Sequence, residues 1–432
     1  MSEALKIAIA GLGTVGAGTV NLLRKQAETL NTRAGRAITV AAVSARDQNK
    51  DRSVDLSGIQ WFTDADTMAR EAGADVVVEL IGGSEGIAKA VCETALGSGR
   101  HVVTANKALL AHHGMDLARL AEKSGVSLHY EAAVAGGIPI IKSLREGLAA
   151  NDVKRISGIL NGTSNYIMTR MREESLDFGA VLKDAQDLGY AEADPGFDID
   201  GVDAAHKLAI LASVAFGAEI NFGAVHTEGI RHISLMDVQF ADELGYRIKL
   251  LGIAARTLTG IEQRVHPCLV PKAAAIANVE YAFNAVEVEC NFADTIIHVG
   301  PGAGPGPTAS AVVADLVDIA RGHETPVFGA PTSSLSAIPT IPMEQHFGAY
   351  YVRLMVVDRP GVFADIATIL RDHEVSMESV LQRGRAPGEP VPLVMTMHET
   401  LEANINTAFT EIATLDAVVG EPCLIRIELL PG

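Results

Sequence analysis

Short apolar runs separated by helical patterns fill the first third of the chain. Lys6–Ala10 (KIAIA), Ala37–Val43, Asp75–Leu80, His101–Val103 and Val126–Glu131 read as buried strands. Between them, helical stretches end near Gln26 and Leu96 and cover about Met115–Lys123. Helices between apolar strands predict a parallel, doubly wound α/β sheet, whose ligands sit at the carboxyl ends of its strands. After residue 135 the pattern changes. Helix Ile138–Leu148 and strand Val153–Leu160 lead to an almost wholly apolar helix through Phe216. Strands Glu287–Cys290 and Thr295–Val299 then precede helix Ala309–Arg321, which is expected to return to the first domain. Pro331–Phe347, rich in Pro, Ser and Thr, reads as a linker. Beyond it, strand Tyr350–Val357, helix Val362–Asp372, strands Met377–Arg383 and Leu393–His398, helix Ala403–Leu415 and strand Cys423–Leu429 give a ferredoxin-like β-α-β-β-α-β order. The expected domains are therefore 1–135 (Rossmann-type, with a returning segment at about 305–330), an α+β substrate and dimerisation domain at 136–330, the linker 331–347, and a small C-terminal domain at 348–432.

The first strand runs straight into Gly11-Leu12-Gly13-Thr14-Val15-Gly16 and a helix. In a G-x-G-x-x-G so placed, Gly11 makes the tight turn, Gly13 lets the backbone approach a pyrophosphate, and Gly16 lets helix and strand pack closely. The free N–H groups of the helix start face the anion. An NAD-selective site wants a carboxylate where the second strand ends. Here Ser44 and Arg46 come first and favour the 2′-phosphate of NADP, while Asp47 leaves NAD open and Arg46 is equally readable as a surface residue. Gly82-Gly83, Thr104–Lys107 and Glu131–Gly137 occupy the other strand ends. Lys107 there either points to the cofactor or is a solvated residue at a helix start.

Gly189–Leu211 gathers Glu192, Asp194, Asp198, Asp200 and Asp203 ahead of Lys207. Asp203 and Lys207 share a helix face, and the apolar residues after them predict a desolvated amine able to exchange protons near neutrality. The plain alternative is a surface ion pair on a buried helix. The acidic density lacks the spacing and closing Glu of an EF-hand. Asn161–Asn165 is either a ligand loop or a plain helix cap, and Gly300–Thr308 either a second cofactor contact or a hinge.

Composition narrows the class. A chain of 432 residues, 48% hydrophobic and 20% charged, suits a multidomain globular enzyme. Its formal charge of −18 without a basic patch argues against nucleic acid and anionic membranes as partners. Cys92, Cys268, Cys290 and Cys423 form no CxxC and read as reduced thiols of a cytoplasmic protein, with no signal peptide ahead of a strand that begins by Lys6.

Several motifs together carry a resemblance. GLGTVG at 11–16, TANKALLA at 104–111, EAAVAGGIPII at 131–141, NGTSNYI at 161–167, LGYAEADP at 188–195 with Asp203 and Lys207, and GPGAGPGPTASAVVAD at 300–315 resemble homoserine dehydrogenase. That family interconverts L-homoserine and L-aspartate 4-semialdehyde with NAD(P), on the way to threonine and methionine. The resemblance implies Lys207 as proton donor and acceptor beside Lys107. It implies Gly189, Glu192 and Asp203 as substrate contacts, and Leu12, Thr14, Val15, Thr104, Lys107 and Gly302 along the cofactor. Glu131, Val134, Gly136 and Ile138 match a monovalent-cation site, such as one for Na+, built largely from backbone oxygens. The GPGAGPGPTAS loop is richer in proline than the family pattern. The tail, with DRPGVFADIATIL, resembles an ACT domain, which implies an amino-acid effector, threonine foremost, and a homodimer or homotetramer. It is expected to be removable without loss of catalysis. A silent nucleotide- and amino-acid-sensing protein, or a dehydrogenase of another semialdehyde, are the competing readings; a sensor has no need of Lys107, Lys207 and Glu192 together.

Overall fold

The computed structural model describes residues 3–383 and 386–430. The extreme ends of the first and last expected domains, and Gly384 and Arg385 of the Gly/Pro loop, lie outside the described residues. The first unit runs β1 (Leu5–Ala10), α1 (Thr14–Lys25), α2 (Ala27–Ala34), β2 (Ile38–Ser44), β3 (Gln60–Phe62) and α3 (Ala65–Glu71). It continues through β4 (Val76–Glu79), α4 (Ile87–Gly97), β5 (His101–Thr104), α5 (Lys107–Ser124) and β6 (Leu128–His129). All strand pairs are parallel, in the order β3-β2-β1-β4-β5-β6. Helices cover both faces, so Ile7–Ala10 of β1 and Val76–Val78 of β4 are buried on both sides and read as short apolar runs. The direction of winding reverses between β1 and β4, and a crevice opens at their carboxyl ends.

Helix α5 starts eight residues earlier than its apolar pattern suggests. The Asn106 side chain accepts the Leu109 N–H (3.0 Å) and caps it, while His112, His113 and Gly114 hide its first turns from a periodicity count. Gly114 faces Ile220, where an added Cβ would lie 2.9 Å from the Ile220 side chain.

The middle unit follows with α6 (Ile140–Lys142), β7 (Val153–Ile159), α7 (Gly162–Glu174), α8 (Phe178–Asp187), α9 (Gly196–Ile199), α10 (Val202–Phe216) and β8 (His226–Thr227). Then come α11 (Leu235–Glu243), β9 (Tyr246–Arg256), β10 (Ile261–Pro271), β11 (Phe283–Cys290), β12 (Thr295–Pro301) and α12 (Pro305–Arg321). The expected helix at 138–148 is broken: after one turn the chain widens, and Leu148 N–H donates to Ser143 O five residues back (2.8 Å). The sequence pattern singled out neither β9 nor β10, because buried polar side chains, Lys249, Arg264 and His266 among them, interrupt their apolar positions. Helix α12 does return to the first unit. It crosses α1 so closely that a Cβ on Gly18 would lie 2.8 Å from Pro305 O.

The C-terminal unit comprises β13 (Phe347–Val357), α13 (Val362–Asp372), β14 (Met377–Gln382), β15 (Pro390–Leu401), α14 (Glu402–Ile412) and β16 (Cys423–Ile427), the β-α-β-β-α-β order the sequence predicts. Its attachment is the surprise. β16 pairs in parallel with β10 (Cys268 with Arg426, Leu269 with Ile427), so one sheet, β12-β11-β7-β9-β10-β16-β13-β15-β14, runs through both units. The connecting segment is also anchored, by bridges from Ser336 to Ala218 and from Thr340 to Ile261. This is not a removable bead. Deleting it would bare an edge of β10 and strand buried charges.

Candidate active site

The glycine turn has the geometry its sequence calls for. Gly11 adopts φ +101°, and a Cβ there would lie 2.5 Å from Leu80 O; one on Gly16 would lie 2.1 Å from Gly11 O. Gly13 faces open space instead, as a backbone that must let a phosphate approach should. The first-turn N–H groups of Thr14, Val15 and Gly16 have no intrahelical acceptor, and no acidic residue in that turn opposes an anion. Leu12 is buried and its carbonyl accepts Arg52 Nε (3.1 Å). Arg52 also donates to the carbonyls of Lys50 and Asp47 and lies 5.5 Å from the centre of the Trp61 ring. The expected cation, Arg46, is exposed and has no hydrogen bond or ion pair among the described residues. Sequence reasoning passed over Arg52 because it follows the strand end by several polar loop residues.

The facing wall is built by the ends of β4 and β5. Glu79, fully buried, accepts the N–H groups of Ile81 (2.7 Å) and Gly82 (3.0 Å) and the Thr104 hydroxyl (2.6 Å). Asn106 Nδ2 donates to Gly83 O (2.7 Å). These bonds hold the Gly82–Gly83 turn and the Thr104–Lys107 segment side by side. Together with Phe197, His112 and His206 they line a cavity of about 400 Å³.

Lys107 and Lys207 meet at this crevice on one carboxylate. Asp203 Oδ2 accepts Lys207 Nζ (2.6 Å), and Asp203 Oδ1 lies 3.2 Å from Lys107 Nζ. Lys207 Nζ also donates to Leu160 O (2.7 Å), the residue just after β7. The Lys207 and Asp203 side chains are nearly sealed, whereas about a third of the Lys107 side chain is open and its ammonium lies over Phe197 (5.8 Å). Burial lowers the Lys207 pKa; the Lys107 charge adds to the lowering and Asp203 opposes it. Burial alone would raise Asp203, but the two ammonium groups and the Asn161 amide hold it well below the usual carboxylate range. Asn161 is a helix cap, as one of its two expected readings has it, and it also braces two carboxylates. It caps α7 through Ser164 N (2.8 Å), and its amide donates to Asp203 (2.9 Å) and Asp198 (2.8 Å). Burial, helped by the Asp203 charge, raises the Asp198 carboxyl.

His206, the residue before Lys207, lies flat on Phe222 (ring centres 4.3 Å apart), with Phe197 on its other side (5.6 Å). Burial pushes its pKa down to about 4, so it is neutral at physiological pH. Periodicity showed only another position on a buried helix.

Glu192 does not join this cluster. Its side chain is exposed without an ion pair among the described residues, and the loop is tied down by its backbone instead, Glu192 O accepting Gln186 Nε2 (3.0 Å). Gly189 (φ +76°) turns the chain into that loop. The carboxylate the structure brings to both lysines is Asp203.

The loop around Glu131 meets the Gly300–Thr308 loop. A Cβ on Gly136 would lie 2.2 Å from Gly302 O, and one on Gly302 would overlap the Asn284 amide. The Glu131 carboxylate accepts Ile141 N and Lys142 N (both 2.9 Å), and burial, with Asp315 nearby, pushes its pKa up to about 7. Its carbonyl accepts Val134 N (3.5 Å), and that of Ile138 accepts Ile140 N (2.8 Å).

A 3-2-1-4-5-6 parallel sheet with a phosphate-ready glycine turn, facing a lysine pair in the crevice at its switch point, defines a nicotinamide-dependent oxidoreductase fold. Family models agree: homoserine dehydrogenase, NAD binding domain, matches residues 11–131, homoserine dehydrogenase matches 139–317, and ACT domain matches 350–416. A homoserine dehydrogenase of Pseudomonas aeruginosa is 46% identical, over 99% of both chains. The crystal structure of a homoserine dehydrogenase from Thiobacillus denitrificans superposes with a TM-score of 0.94 at 46% identity, again over 99% of both chains. A hyperthermophilic archaeal homoserine dehydrogenase in complex with NADPH superposes with a TM-score of 0.65 at 25% identity, over 75% of this chain and all of that one. The chain belongs to the homoserine dehydrogenase family, and it is an NAD(P)-dependent oxidoreductase acting on the hydroxyl group of homoserine.

Proposed function

We propose that Lys207 is the group that takes and returns the hydroxyl proton when L-homoserine and L-aspartate 4-semialdehyde interconvert. The observation that carries this is the meeting of Lys207 and Lys107 on Asp203 at the crevice. The nicotinamide supplies the hydride acceptor or donor. In the oxidation, neutral Lys207 takes the proton of the terminal hydroxyl as the hydride leaves the same carbon, and in the reduction its ammonium returns a proton to the oxygen. Asp203 orients the amine, while Lys107, as the more open of the two, is the cation for the substrate oxygen. Asp203 is committed to two lysines, so the uncommitted Glu192, on the loop that Gly189 turns, is the partner for the substrate ammonium.

The cofactor lies along Gly11–Gly16, Thr104 and Lys107 and is closed over by Gly302. NADP is the favoured form. Arg52, fixed to Leu12 O beside the end of β2, is better held to meet a 2′-phosphate than Arg46. The archaeal relative binds NADPH, in keeping with this choice. A monovalent cation at Glu131, Val134, Gly136 and Ile138 would be held by main-chain oxygens, since the Glu131 carboxylate is already bonded to two N–H groups. The C-terminal domain binds an amino acid, threonine foremost, and restrains the enzyme by feedback within a cytoplasmic homodimer or homotetramer.

The direct test is the spectrophotometric oxidation of NADPH, then NADH, with aspartate 4-semialdehyde. Robust turnover with a preference for NADPH is expected. The same assay on Lys207→Ala is expected to lose most of that turnover, and wild-type turnover in the variant would contradict the assignment of Lys207.

A further inference from the structure

A cleft of about 650 Å³ opens where the middle and C-terminal units meet. Its walls come from three stretches distant in sequence: Val225–Glu228 around β8, the connecting segment at 341–344, and the C-terminal unit through Asn406 and Arg426. Arg426 sits at its base between two carboxylates. On one side it donates to Glu402 through Nε (2.9 Å) and Nη2, and Glu402 also accepts the Tyr350 hydroxyl (2.8 Å). On the other it donates through Nη1 (3.0 Å) and Nη2 (2.9 Å) to Glu228, which also pairs with His226 (2.7 Å). The two halves differ in exposure. Arg426 and Glu402 are sealed within the C-terminal unit, whereas about a third of the Glu228 side chain faces the cleft.

We propose that this cleft binds a small α-amino acid as its zwitterion, with the carboxylate on Arg426 and the ammonium on Glu228. The inference rests on the regulatory reading above and supplies its binding site. Charge selects the ligand class. An anion placed on Arg426 would strand Glu228, and a cation on Glu228 would strand part of Arg426; an inserted zwitterion leaves every charge compensated. Ile341, Met343 and Leu424 supply an apolar wall for the ligand's side chain.

The position also explains how such a ligand reaches the chemistry. Glu428 extends the β16 ladder by one bond, its N–H donating to Leu269 O (2.9 Å), and lies on the same strand face as Arg426, two residues on. Its buried carboxylate accepts Arg264 of β10 (2.9 Å) and Arg155 of β7 (2.6 Å). The end of β7 leads to the Leu160 carbonyl that holds Lys207. A ligand that draws Arg426 away from Glu228 acts on a strand bolted to the one that positions the catalytic amine. It shifts the equilibrium by whatever affinity it gains in that arrangement.

The test uses the full-length enzyme. The standard L-amino acids are screened by thermal shift, and the binders, with L-threonine in every case, are measured by calorimetry. The methyl ester and the N-acetyl derivative of the best binder probe its two charges. Each derivative is expected to bind about tenfold more weakly or worse, as is the parent amino acid to Asn406→Trp, which fills the cleft from an exposed helix position, and to Glu228→Gln. Unchanged unfolding transitions would show that the variants are folded. Wild-type affinity in both variants, with inhibition intact, would overturn the cleft assignment and leave the regulatory reading standing. No binding and no inhibition by any amino acid would overturn both.

Discussion

Two buried carboxylates in this molecule are each gripped by two cations, and they have opposite fates. Asp203 lies between Lys207 and Lys107 at the edge of the crevice; Glu428 lies between Arg155 and Arg264 inside the sheet that joins the middle and C-terminal units. A lysine amine has its pKa moved by burial and can then give up its proton, whereas a guanidinium stays charged. The environments follow suit. Lys107 is partly open to a cavity, while the Glu428 site is closed in by Arg264, Cys268 and a fully buried His266. Those arginines also rule against reading His266, Cys268 and Glu428 as a cation site, because the carboxylate they would share is already neutralised. The lysine nest is built to move a proton and the arginine nest to fasten two units together.

Changes at the two nests should separate these roles, and the largest effect is expected at the reactive one. Lys207→Ala should lower kcat by on the order of 10²–10⁴-fold while the affinity for NADPH, by fluorescence titration, stays near wild type. At the fastening nest, Glu428→Ala leaves the half-buried Arg155 without its carboxylate and the buried Arg264 with Glu262 alone, and should cost about 3 kcal/mol in chemical denaturation. Full stability in that variant would mean the junction carries no load. A smaller change is expected beside the glycine turn: Arg52→Ala should lower the preference for NADPH over NADH in kcat/KM by about tenfold, or about 1.4 kcal/mol, whereas Arg46→Ala should leave it near wild type.

How much could be read from the sequence follows the range of each interaction. The glycine turn is local: strand, turn and helix lie within about twenty residues, and their φ angles and close approaches come out as the spacing implies. Asp203 and Lys207 are four apart on one helix, so their pairing was legible too. Lys107 needed the resemblance to bring it near, because α5 and α10 are neighbours only in the fold. Glu79, Asn106 and Asn161, which brace the crevice, look like ordinary strand-end and cap residues until their partners are known. The junction was illegible. Arg155 and Glu428 are separated by 273 positions, and nothing in a Pro-, Ser- and Thr-rich connector announces that the strand beyond it will return to pair with β10.

The claim that Lys207 exchanges protons because burial and the Lys107 charge depress its pKa is tested most directly by the pH dependence of homoserine oxidation in Lys107→Met. Removing the like charge raises the Lys207 pKa, so the fraction of neutral amine at a given pH falls. The rising limb of log(kcat/KM) should therefore move to higher pH, while activity persists at the alkaline end. A limb that stays where it is in wild type, or moves to lower pH, would contradict the account.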